Sequence, residues 1–122
     1  MARVAKDSST GAYSFDKLFT YVSAFVKSHD YFVLNLETTL GGTDGRSYST
    51  YPMFNSPDTL LDALKNMGVD CLLTANNHSY DTGESGFLRT VQKVTEYGFD
   101  PGDYRQSDRC EWRLSVLYGR EL

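Results

Sequence analysis

Two short apolar runs, Tyr31 to Leu36 and Val69 to Thr74, each hand over directly to a polar cluster, and the segments around them are spaced for helices. The first, almost wholly apolar and with β-rich members, reads as a strand covered on both faces, and Val69 to Thr74 reads as the second strand, with Cys71 inside it and buried. Ahead of the first run, Phe15, Leu18, Phe19, Val22, Phe25 and Val26 recur at three and four with Ser14 placed as N-cap, which predicts an amphipathic helix ending near Ser28-His29-Asp30. Between the runs, Ser56-Pro57-Asp58 orders an N-cap, a first-turn proline and an acidic first turn ahead of Leu60, Leu61, Leu64 and Met67, and Gly68 closes the helix. After the second run, Glu84 to Tyr97 forms a third helix with Phe87, Leu88, Val91 and Val94 inward and Gly98 as its stop. The order helix, strand, helix, strand, helix predicts an α/β fold in which right-handed crossovers join parallel strands.

In such a sheet the groups just past the carboxyl ends of neighbouring strands converge in one crevice, where these sheets bind ligands. Asn35-Leu36-Glu37-Thr38-Thr39 follows the first run and Ala75-Asn76-Asn77-His78-Ser79-Tyr80-Asp81 follows the second, so the chain carries two parts of one site. A carboxylate, a carboxamide and an imidazole together can bind a divalent metal through oxygen and nitrogen, and each can also serve proton transfer or anion binding. Glu37 with Asn35, and Asn77 with His78, suit metal-assisted hydrolysis of a phosphate or similar ester, with His78 left to protonate a leaving group. The set is partial: the only other histidine, His29, lies at the opposite end of its strand.

Each member also has a plainer explanation. Asn76 and Asn77 tolerate left-handed backbone and make local bonds, so Asn-Asn-His also reads as a structural turn. Glu37 alone reads as a solvated loop carboxylate, and Asp81 or Thr82 as a cap for the third helix. The coincidence of two clusters on two adjacent strand ends favours the functional reading. The long segment from Thr38 to Ser56, with Gly41-Gly42-Thr43-Asp44-Gly45, carries neither a dinucleotide fingerprint nor a Gly-Lys-Ser/Thr ending and reads as a flexible surface loop.

A length of 122 residues limits the chain to a single domain, and 40% hydrophobic residues place it among globular rather than disordered sequences. A net charge of -4 without a basic run argues against nucleic acid as a partner. Cys71 and Cys110 lack metal-type spacing. No stretch approaches the roughly 20 apolar residues that span a bilayer, and Met1 to Asp7 lacks an apolar signal region, so neither a membrane segment nor an export address is expected. Met1 to Gly11 reads as a loop or frayed start.

Asp30-Tyr31-Phe32-Val33-Leu34-Asn35-Leu36-Glu37-Thr38, Tyr51-Pro52-Met53-Phe54, and Leu73 to Gly83 with Gly86 and Thr90 resemble the CapA family of bacterial capsule and poly-γ-glutamate synthesis proteins. That family looks like a branch of the calcineurin-like metallophosphoesterases, which implies part of an α-β-β-α sandwich. The resemblance runs from about Tyr13 to Gly98 in unbroken order. It implies Asn77 as a metal ligand, His78 as acid or transition-state stabiliser, and Asn35 and Glu37 at the place of a bridging acidic ligand, Glu37 being the better bridge between two metals. The implied cofactor is a divalent ion: manganese, zinc or calcium.

The chain also departs from the family pattern. No strand ending in Gly-Asp precedes Phe15, and no histidine follows His78. The expectation is an N-terminal portion of a larger domain, weakly active or inactive alone, with residues 108–122 a tail of uncertain relation. Exposed apolar sheet edges would then favour self-association, and a non-catalytic α/β module acting through such contacts is the alternative reading. Members of the family are often anchored outside the membrane through a segment that this sequence does not contain.

Overall fold

A computed structural model describes residues 6–100. The chain enters through a tight turn in which Lys6 bridges Tyr13 and the Asp7 amide donates to the Ala12 carbonyl, so the polar start is closed rather than loose from Lys6 onward. The regular elements, in chain order, are α1 (Asp16–Lys27), β1 (Val33–Asn35), α2 (Thr59–Met67), β2 (Cys71–Leu73) and α3 (Gly83–Glu96). Parallel strands alternate with helices, as the sequence pattern predicts. The tail from Tyr104 onward lies outside the described residues.

β1 and β2 pair in parallel with Val33 opposite Cys71, Leu34 opposite Leu72 and Asn35 opposite Leu73. The Leu36 amide extends the ladder to the Leu73 carbonyl at 2.9 Å, so both strands end at the same level. On the far side of β2, the Leu72 amide donates to Asp100 at 2.9 Å. β2 is thus central and its Cys71 and Leu72 are fully buried, whereas β1 has one strand neighbour among the described residues. This corrects the expectation that the first run, Tyr31 to Leu36, is covered on both faces: Val33 and Leu34 are only half-buried.

α2 behaves as its pattern predicts at the core, with Leu60, Leu61, Leu64 and Met67 all buried. Its start differs: Asp58, not Ser56, precedes the helix, and no side chain caps it. Its end requires Gly68, whose φ of 96° is left-handed, and the amides of Gly68 and Val69 close onto the carbonyls of the last turn. α1 also lacks the predicted Ser14 cap; the Ser14 hydroxyl donates instead to Asp16 at 3.1 Å. Only Phe15 and Val26 of its apolar series are fully buried, while Val22 and Phe25 stay exposed beside Tyr21.

α3 is rotated from the predicted face. Gly86, Thr90 and Val94, spaced at four, are buried, whereas Leu88 is 58% exposed and Phe87 and Val91 are half-buried. Gly86 decides this: an added Cβ would lie 1.8 Å from the Thr82 Oγ1 and 3.1 Å from the Arg46 Nη1. Thr90 then accepts the Leu40 amide at 2.8 Å while donating to the Gly86 carbonyl at 2.7 Å.

The segment after β1 is not the loose loop that its glycines suggest. Asn55 is 1% exposed and its side chain accepts from the Gly41 amide and donates to the carbonyls of Gly42 and Ser47. Thr39 is bound through backbone and hydroxyl to Phe54. Arg89 ties α3 to the same region, donating to both Asp58 carboxylate oxygens and to the Leu40 carbonyl, and the Asp58 bond holds the guanidinium above its ordinary pKa.

Removing the Asn55 side chain leaves buried backbone groups unsatisfied, so Asn55→Ala should cost roughly 2–4 kcal/mol in urea unfolding. Leu88→Gln should stay within about 0.5 kcal/mol, and Val94→Ala should cost about 1–3 kcal/mol. The reverse ranking of the last two would contradict the rotated face.

Candidate functional site at the strand ends

Because the strands end level, the two polar clusters meet. The Asn76 Nδ2 donates to the Asn35 Oδ1 at 3.1 Å and to the Leu36 carbonyl at 3.0 Å, crossing from one strand end to the other. Asn35 in turn donates to a Glu37 carboxylate oxygen at 3.4 Å. Ser79 builds the turn that holds Asn76: its hydroxyl accepts the Asn76 amide and lies 2.5 Å from the Thr74 carbonyl. Asn76 also accepts the His78 amide at 3.0 Å, an Asx-type bond that fixes where the imidazole leaves the backbone.

The His78 ring is held from two sides. Its Nδ1 lies 2.8 Å from an Asp81 carboxylate oxygen, and the Phe54 ring meets it edge-on with centroids 4.6 Å apart. An ionised carboxylate only accepts, so this geometry assigns the proton to Nδ1 and leaves Nε2 as the nitrogen available for chemistry. The same Asp81 oxygen accepts the Phe54 amide at 2.6 Å. Asp81 therefore does not cap α3, and neither does Thr82, whose hydroxyl donates to Thr39 at 2.9 Å.

Of the residues singled out in the sequence, Asn35, Glu37 and His78 join this network. Asn77 is exposed on the turn beside them, and its side chain makes no hydrogen bond among the described residues. Asn76, Asp81 and Phe54 are the members that motif reading assigned to turn, cap or loop. The three-residue step from His78 to Asp81 was the available signal, since a turn brings such positions together.

The donor chemistry can be tested against a divalent ion. The Glu37 carboxylate and the Asn77 amide oxygen are exposed, and Asn35 retains one lone pair beyond its bond from Asn76. These are hard oxygen donors of the kind that suit calcium or manganese. Among the described residues, however, no group of three or more His, Cys, Asp or Glu side chains could hold a metal ion, so the donors present amount to part of a coordination sphere.

The bacterial capsule synthesis protein family PGA_cap matches residues 1–111 of the chain. The chain belongs to that family. No curated protein and no solved structure matches it. Among the described residues, no helix of this capsule synthesis family member is long and apolar enough to cross a membrane.

Asp81→Asn should weaken the clamp on Phe54 while sparing the core. Amide exchange at Phe54 should quicken roughly tenfold or more, the equivalent of a lost bond to a charged group, while Leu61 and Leu72 exchange as before. Unchanged exchange at Phe54 would show that Asp81 does not hold the loop.

Proposed function

We propose that the strand-end crevice of this capsule synthesis family protein is part of a metallophosphoesterase-type hydrolytic site, with Glu37, Asn77 and Asn35 as metal ligands and His78 as general acid. The observation that carries the reading is the Asn76 bridge, which locks two polar strand ends together while Asp81 orients His78. Glu37 is the ligand best able to be shared by two ions, being a carboxylate with an exposed position. A bound divalent ion would supply polarisation of a phosphoryl oxygen and activation of water.

The chain's own residues supply orientation and a proton path. Asp81 fixes the imidazole tautomer, the Phe54 ring limits its rotation, and a proton leaves from Nε2 when the ring is charged. Asn35 and Asn76 keep Glu37 level with the Asn77 turn. Weak activity of this chain by itself, and poly-γ-glutamate assembly as the biological setting, are what the family resemblance suggests.

A second reading rests on a different observation. β1 has one strand neighbour among the described residues, and α1 exposes Tyr21, Val22 and Phe25 along its outer face. An edge with no strand partner among the described residues, together with these exposed apolar side chains, favours a module that works by self-association.

Adding manganese, zinc or calcium should raise the melting temperature, since a ligand at a hundredfold excess over its Kd adds about 2.7 kcal/mol. Glu37→Ala should abolish that rise and the hydrolysis of a generic phosphodiester, and His78→Ala should abolish the hydrolysis. A flat response to all three metals rejects the hydrolytic reading. Sedimentation equilibrium separates the second: a monomer at every concentration, with an intact fold, rejects self-association.

A further inference from the structure

Thr43 to Arg46 form a turn closed by the Arg46 amide on the Thr43 carbonyl at 3.3 Å, with the exposed Asp44 and Gly45 at its two central positions. Gly45 has a φ of 70°, and a Cβ built there would meet nothing within 4 Å. Among the described residues, neither the Asp44 carboxylate nor the Gly45 amide has a hydrogen-bond partner. A side-chain carboxyl and the backbone nitrogen that follows it can close a five-membered ring when nothing else holds either group, and a glycine on the far side leaves the approach unobstructed.

The corresponding groups are engaged at the asparagines of the crevice and the loop. The Asn76 side chain donates to Asn35 and to the Leu36 carbonyl, and the nitrogen after Asn77, that of His78, donates to the Asn76 Oδ1 at 3.0 Å. The nitrogens after Asn35 and Asn55 donate to the carbonyls of Leu73 and Thr39. In the whole sequence, Asp44 is also the one Asp or Asn that a glycine follows.

We propose that Asp44 is a modification site at which the backbone isomerises spontaneously to isoaspartate, with water as the only reagent. The Gly45 nitrogen attacks the protonated Asp44 carboxyl carbon; the new C–N bond replaces a C–O bond, water leaves with the amide proton, and a succinimide forms. Water then adds at the ring carbonyl derived from the Asp44 backbone, the bond from that carbon to the Gly45 nitrogen breaks, and the nitrogen regains its proton. The chain now runs through the former side chain, one methylene longer and with its charge unchanged. The same turn sends Arg46 to the Thr82 carbonyl at 2.8 Å and to the Ser85 hydroxyl at 3.2 Å, so the longer backbone displaces Arg46 from the start of α3.

The test is to age the folded chain at neutral pH in water labelled with heavy oxygen, then digest it and examine the peptide that carries residues 43–46 by chromatography and mass spectrometry. The expected product is a second form of that peptide that carries one heavy oxygen and resists a protease cutting before aspartate. Because the turn is exposed, the product should form within about tenfold of its rate in the urea-unfolded chain. Gly45→Ala should slow it at least about tenfold, and Asp44→Asn, which expels ammonia instead of water, should hasten it. In the aged protein, amide NMR signals of Thr82 and Ser85 should shift while those of Leu61 and Leu72 stay in place. Formation in urea but not in the folded chain, an unchanged rate in Gly45→Ala, or label centred on Asn76 or Asn77 would each overturn the proposed site. Unshifted Thr82 and Ser85 in the isomerised chain would overturn its link to Arg46.

Discussion

The register of two short strands carries the rest of the structure. With Asn35 opposite Leu73 and the Leu36 amide on the Leu73 carbonyl, both chains leave the sheet at one level. A slip of β1 against β2 by one residue would put Leu34 on the sheet face opposite Leu72 and carry Asn35 out of reach of Asn76. Core and site thus share one constraint. The apolar faces of α1 and α2 fix the register from below, and the Asn76 bridge fixes it from the strand ends.

Beyond each strand the chain is held by polar groups as well as by the burial of Leu36 and Leu40. Asn55 satisfies the backbone around Gly41, Gly42 and Ser47, and Asp81 satisfies the Phe54 amide while orienting His78. Two adjacent residues, Phe54 and Asn55, therefore join the loop to the site on one side and to its own interior on the other. Arg89 and Arg46, both reaching from or to α3, close the same region, so α3 acts as a brace for the loop as well as a cover for the core.

The element order and the buried series of α2 were legible because they depend on local periodicity. The face of α3 was not. Its apolar pattern favoured Phe87, Leu88, Val91 and Val94, but close approach at Gly86 and the bond from Leu40 to Thr90 turned the helix, and neither leaves a periodic signal. β1 misled in the same way: an almost wholly apolar run suggested cover on both faces, while cover depends on neighbours that a single segment cannot reveal. At the site, the residues carrying obvious chemistry were readable from their position after strands. Asn76, Asp81 and Phe54 were not, because their importance lies in whom they bond across the fold.

The position of Asp81 bears on how the site acts. Its carboxylate accepts from His78 and from the Phe54 backbone through the same oxygen, so imidazole orientation and the end of the loop share one acceptor. Phe54 also stands edge-on to the imidazole. The Phe54 backbone and the His78 ring therefore depend on a single carboxylate for their placement.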